Sequence, residues 1–151
     1  EVDERGWFFH QHAPEWLRID GNRRRILLYD NGNVRPVDYD YLGAEFSRVL
    51  AMDLDEEAFV ASPHFSYGDA DDQSIDHFYG WAYGDADRMP GGDEIIFTTG
   101  HKLGFGETPW VGLIAYPEGE LLWRLFFTIG VYRIDYLPSI YDSDWSFAVD
   151  R

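Results

Sequence analysis

The sequence predicts an all-β fold of propeller-like blades, a partial propeller of two to three four-stranded antiparallel units. Three observations carry this expectation. Apolar residues do not recur at helical spacing. Short β-branched or aromatic runs alternate instead with Gly, Asn, Asp and Pro turns. One unit is also written twice, about 69 residues apart. "LRIDGNRRRILLYDNG" (17–32) and "ADRMPGGDEIIFTTG" (86–100) share the form strand, tight turn, hydrophobic strand, glycine. A four-stranded unit repeated along a chain is the pattern of propeller blades. A single sandwich or barrel with chance similarity between strands is the alternative.

Taken in order, strands are expected near Trp16–Asp20, Arg25–Asp30, Phe46–Asp53 and Ala58–Ser62, a first blade over about residues 12–62. Hairpin-like turns fall at Gly21-Asn22 and Asp55-Glu56. The polar, Asp-rich stretch 63–80 reads as an inter-blade loop, the kind of segment that carries function at a propeller's mouth. The second blade, about 82–127, has strands near Ala82–Arg88, Glu94–Thr99, Trp110–Tyr116 and Glu120–Phe127, with turns at Gly91-Gly92 and Glu118-Gly119. A terminal strand is expected at Val131–Leu137. Residues 1–151 thus form a single propeller-like region. Two blades and part of a third cannot close a ring, so the remainder of a longer chain or a homodimer partner is implied, or the fold is not a propeller.

The chain has 151 residues, 45% of them hydrophobic and 18% aromatic, which excludes a disordered chain. Aromatic side chains fit pleated, half-buried surfaces. Acids outnumber bases 28 to 12, a formal charge of −16 that repels polyanions and argues against nucleic acid as a partner. Lys102 is the single lysine; the other bases are arginines, suited to planar oxyanions. Without cysteine there is no disulfide, zinc-thiolate site or cysteine nucleophile. No apolar run approaches the roughly 18 residues of a membrane span.

Several motifs read as scaffold. Trp16 and Trp123, inside strands, are expected in the core, and Arg23-Arg24-Arg25 is expected at a solvated hairpin tip. "DNGN" (30–33) resembles part of a calcium loop but lacks the downstream Glu of an EF-hand. "DADDQSID" (69–76) reads as a solvated acidic loop, with a calcium site as the alternative, and His10-Gln11-His12 has no evident third ligand. No metal and no cofactor is assigned.

"WFFHQHAPEWLRIDGNRRRILLYDNGNVRP" (7–36) resembles the Gln-His segment, strand and Asp-Asn-Gly run of bacterial PAPS-independent arylsulfate sulfotransferases. "EFSRVLAMDLDEE" (45–57) resembles that family's Tyr-Ser-Arg strand, and "GDADRMPGGDEIIFTTGH" (84–101) is similar to its Gly-Asp-Ala-Gln-Arg-Leu-Pro-Asn-Gly-Asn blade. "GELLWRLFF" with "GVYRIDYLPSIYD" (119–142) is similar to its closing strands. The resemblance implies the C-terminal blades of a six-bladed propeller, export to the periplasm or outside the cell, and aryl sulfate and phenol as small-molecule partners.

It further implies sulfuryl transfer through a sulfohistidine, in two half-reactions. His101 matches the position of the nucleophile, with His77 as fallback; His12 matches the histidine of the Gln-His segment, and Arg35 the arginine after Asp-Asn-Gly. An imidazole can attack sulfur, a second can carry the phenol's proton, and a guanidinium forks two sulfuryl oxygens. Phe105, Trp110 and Trp7 are candidate walls for the phenol ring, with core packing as the competing role. The family's upstream blades and a further active-site histidine have no counterpart here, so a non-catalytic binding or interaction module built on the same scaffold is the second expectation.

Overall fold

A computed structural model of the chain describes residues 7–33, 46–68, 78–101 and 108–136. The described residues hold eight strands and no helix. Strands β1 (Gln11–Asp20), β2 (Arg23–Asp30), β3 (Arg48–Asp55) and β4 (Val60–Tyr67) form one antiparallel sheet in the order β1-β2-β3-β4. Strands β5 (Asp85–Arg88), β6 (Glu94–Thr98), β7 (Trp110–Ala115) and β8 (Leu121–Phe126) form the other in the order β5-β6-β7-β8. Each sheet is a meander. Gly21, at φ 59°, supplies the left-handed residue of the β1–β2 turn. The carboxylate of Asp55 closes the β3–β4 turn by accepting from Glu57 N (3.0 Å) and Ala58 N (2.8 Å).

Several expectations are corrected. β1 starts at Gln11, before the expected Trp16. β4 runs on to Tyr67, so residues 63–67 of the expected 63–80 loop are strand, and 69–77 of it lie outside the described residues; buried Phe65 and Tyr67 draw the strand into the core. β5 is cut to Asp85–Arg88 because Tyr83 (φ 68°) and Gly84 (φ 111°) break the extended chain, and Ala82 keeps an isolated bridge to His101. Residues 131–136 form no strand. Val131 O there accepts from Thr98 Oγ1 (3.2 Å) and Ile134 N donates to Asp85 (3.0 Å), so side chains take the place of a ladder. Trp16 and Trp123 are about half exposed, because β1 and β8 are the outer strands of their sheets.

The two sheets share one core. Both carry a β-bulge at the same place, His64 of β4 opposite the Ala51–Met52 step of β3 and Leu122 of β8 opposite the Leu113–Ile114 step of β7. Aligning the bulges makes Ala51 equivalent to Leu113 and, one strand inward, Leu27 equivalent to Ile96. In that register the shared core takes Leu27, Val49 and Ala51 from the first sheet, but Ile95, Phe97 and Ile114 from the second. The second sheet's counterparts of the former set, Ile96, Val111 and Leu113, pack on its other face beneath Val131 and Ile134. Likewise Ile26, Leu28 and Met52, counterparts of the latter set, lie on the first sheet's other face. The sheets therefore stack head to tail, the front of one on the back of the next. With both faces of β2 and β6 covered, their sequences read as continuous apolar runs (Ile26–Tyr29, Ile95–Phe97) rather than alternating ones. Phe78, Phe97 and Trp110 pack with ring centroids 5.1 to 5.5 Å apart, each pair adding about 0.5–1.5 kcal/mol to burial alone. Among the described residues no helix is long and apolar enough to cross a membrane.

Candidate functional site

The site forms where β2 and β6 end. There "DNGN" acts as a clamp on residues 79–83. Asp30 is fully buried; its carboxylate accepts from Phe9 N (2.7 Å), Gly32 N (3.0 Å) and the Arg48 guanidinium (2.9 Å). Arg48, equally buried, also donates to Trp7 O (2.8 Å). Asn31 donates to Gly80 O (2.6 Å) and Tyr83 O (2.8 Å). Asn33 donates to Trp81 O (2.6 Å) and accepts from the Tyr79 hydroxyl (3.0 Å). Ser47 closes the seam, donating to Asn31 O (2.9 Å) and accepting from Gly80 N (2.8 Å). The calcium-like string thus spends its side chains on protein partners.

Two of the histidines singled out in the sequence, His12 and His101, meet this clamp. His12 Nδ1 lies 2.5 Å from Asn31 Oδ1. His101 is joined to Ala82 by two backbone hydrogen bonds, and its ring packs 6.2 Å from that of Tyr83. On its other side it meets the Gly130 backbone, where an added Cβ would fall within 3.0 Å of the ring. Tyr83 links the two histidines indirectly, its carbonyl held by the residue that binds His12 and its ring packed near that of His101. Gly84 beside it is required by space as well as by φ, since a Cβ would sit 2.3 Å from the Tyr29 ring.

His12 opens onto a cleft of about 350 Å³ between the first strands of the two sheets, lined also by Glu15, Asp85, Asp87, Tyr132 and Arg133. His101 is not one of its walls. Backbone strain concentrates here: His10 and Ala13 have φ of 57° and 48°, and the β1–β2 register slips between His12 and Glu15. Such bulges re-aim side chains, and left-handed non-glycine residues cluster at functional sites. Three carboxylates face one another. Glu15 accepts from Arg88 N (2.7 Å), and Asp85 from Ile134 N (3.0 Å) with the Arg133 guanidinium 3.8 Å away. Burial raises the pKa of both acids. It raises Asp87 further, to about 6, helped by the charges of Asp85, Glu15 and Asp135. Asp87 therefore holds and releases a proton close to neutrality.

The remaining candidates fall elsewhere. Arg35, His77 and Phe105 lie outside the described residues. Trp110 is a core residue, and the space beside it, about 10 Å³, is too small for a phenol ring. Trp7 stacks on Phe8 at 5.3 Å and is not a wall of the cleft. Arg23, Arg24 and Arg25 do not form one solvated tip. Arg23 is exposed, but Arg24 pairs with Glu56 (3.1 Å), and Arg25 binds Asp53 through two hydrogen bonds (2.7 and 3.0 Å) and donates to Tyr116 of the other sheet. A second cleft of about 290 Å³ at that hairpin end is therefore lined by arginines already matched to acids.

Sequence reasoning missed Asn31, Tyr83 and the carboxylate trio. A signal for the trio existed: in the bulge-aligned register Glu15, opposite Leu27, corresponds to Asp87, opposite Ile96, so the repeat itself carries an acid at this position. No family model, no curated protein and no solved structure matches the chain.

Proposed function

We propose that the chain is a pair of propeller blades of the arylsulfate sulfotransferase type, transferring a sulfuryl group from an aryl sulfate to a phenol. Head-to-tail stacking supports the propeller, because a front-on-back contact can be repeated around a ring whereas a two-fold sandwich cannot. The order of the matching segments along the chain supports the family. The observation that carries the chemistry is that His12 and His101 are tied to the same segment, His12 through Asn31 to the Tyr83 carbonyl and His101 through the Ala82 backbone and the Tyr83 ring.

In the first half-reaction a neutral His101 attacks the sulfur. The new N–S bond forms as the sulfur–oxygen bond to the aryl group breaks, and the departing phenolate takes a proton from His12. In the second, His12 takes the proton of the acceptor phenol while the sulfuryl group passes from His101 to its oxygen. Positioning and charge stabilisation dominate such a loose anionic transition state. Incubation with 4-nitrophenyl sulfate is expected to release nitrophenol and leave a sulfuryl group on a histidine, detected by mass spectrometry under mild conditions. His101→Asn is expected to abolish that label with the circular dichroism spectrum unchanged. Release of nitrophenol by His101→Asn at the parental rate would defeat the assignment.

The three carboxylates of the cleft favour a second reading, a binding module without sulfuryl chemistry. Glu15, Asp85 and Asp87 repel an anionic ester and suit a cationic or polyhydroxyl ligand. A parental protein that gives no labelled histidine, yet shows thermal stabilisation by such a ligand, selects this reading.

A further inference from the structure

We infer that Asn31 is the positioning residue of this site, fixing His12 as the tautomer with its hydrogen on Nδ1 and leaving Nε2 as the working nitrogen. The use made of that nitrogen rests on the function proposed above; the tautomer does not. Asn31 is fully buried. Both hydrogens of its amide are taken, one by Gly80 O at 2.6 Å and the other by Tyr83 O at 2.8 Å. Turning the amide over would set its oxygen against two carbonyl oxygens, so its orientation is determined by the network. The atom facing His12 is therefore Oδ1, which can only accept. Nδ1 of His12, 2.5 Å away, must supply the hydrogen. In the neutral ring Nε2 then carries the lone pair, and in the imidazolium the Asn31 contact persists unchanged. A histidine free in water favours the opposite tautomer, so the protein imposes this one.

The arrangement has the logic of a catalytic base held by a third group, with an amide in place of a carboxylate. Asn31 acts on both imidazoles at once. The same amide that sets His12 grips the carbonyls of residues 80 and 83, and so sets the backbone from which Tyr83 leans on His101. A carboxylate at position 31 would keep the acceptor toward His12 but lose both donors, which separates the two roles.

The test is a long-range proton–nitrogen correlation spectrum of the full chain labelled with ¹⁵N-histidine, recorded above the titration of the imidazoles. The His12 pattern is assigned by its loss in His12→Gln. The parent is expected to show Nδ1 as the protonated nitrogen and Nε2 as the bare one. Asn31→Ala is expected to return His12 to the pattern of free imidazole, and Asn31→Asp to restore the parental pattern. A bare Nδ1 in the parental protein overturns the inference, and that measurement needs no variant to fold. A parental pattern retained in a folded Asn31→Ala overturns it equally. Sulfuryl labelling is read separately. If the tautomer holds and no histidine is labelled, the transferase function falls while the positioning role of Asn31 stands. If labelling occurs, Asn31→Ala is expected to lower kcat by about 10²-fold, with little change in KM.

Discussion

The two sheets place the same register position under different chemistry. In the first, Asp30 and Arg48 face each other across β2 and β3 as a fully buried ion pair. In the second, the equivalent residues are Thr99 and Trp110, where the threonine hydroxyl accepts from Trp110 N (3.0 Å) and donates to Trp110 O (3.2 Å). The charged version gathers Phe9, Gly32 and Trp7 around itself, anchors the start of β1 and presents Asn31 and Asn33 to the neighbouring segment. The neutral version puts an indole into the common core. One repeat thus supplies the clamp and the other the packing surface it grips, a division of labour that an exact duplication could not give.

Substitutions at matched positions sharpen the contrast. The largest effect is expected at Arg48→Ala, which takes the guanidinium away from the buried Asp30 carboxylate and should cost about 3–5 kcal/mol. Thr99→Val, its counterpart, exchanges one neutral hydrogen-bonding group and should cost about 1 kcal/mol. Urea denaturation of the two variants reads the difference, and equal costs would mean that the ion pair is not the more critical element. Next come Phe65 and its counterpart Trp123, which occupy equivalent places beyond the bulge. Phe65 is covered by the second sheet, with Tyr116 edge-on at 5.2 Å, whereas Trp123 is 42% exposed. Phe65→Ala should cost about 3 kcal/mol, and Trp123→Ala less than about 1 kcal/mol.

The smallest effect is pH-dependent and concerns the third matched pair, Glu15 and Asp87. The native state holds the Asp87 proton up to about pH 6, well above the ordinary carboxylate range. Between roughly pH 4 and pH 6 the folded chain therefore binds more protons than the unfolded one, and this residue's contribution makes stability fall as pH rises through that window. Asp87→Asn should accordingly stabilise the chain at pH 7 by about 1 kcal/mol, allowing for solvent screening of a partly exposed group. The gain should vanish near pH 4. A stabilisation independent of pH, followed by thermal melts across that range, would point to packing rather than to the charge.

Much of the architecture was legible. Apolar runs bounded by glycine and asparagine turns located β2, β3, β6 and β7 closely, because central strands covered on both faces must be apolar throughout. The outer strands were harder. Trp16 and Trp123 carry the composition of a core residue, yet edge position leaves them half in solvent. Val131 and Ile134 carry the composition of a strand, yet they serve as a cover whose backbone bonds to Thr98 and Asp85. At the site, His12 and His101 could be singled out by type and motif. Their link through Asn31 and Tyr83 could not, since it joins residues separated by some 90 positions in the chain and depends on how two sheets settle against each other.

What the sequence determined by itself was local: turn positions, the apolar strands, the repeated four-strand unit and the strongly acidic balance all follow from propensity and period, which act over a few residues. What only the tertiary structure decided was which faces meet. Head-to-tail stacking brings Glu15 against Asp87 and leaves Asp85 buried beside them, and burial with mutual repulsion, not residue type, raises these carboxylates. The tautomer of His12 was settled the same way, because a buried amide must satisfy every donor it has, and the carbonyls that take those donors arrive from another sheet's segment.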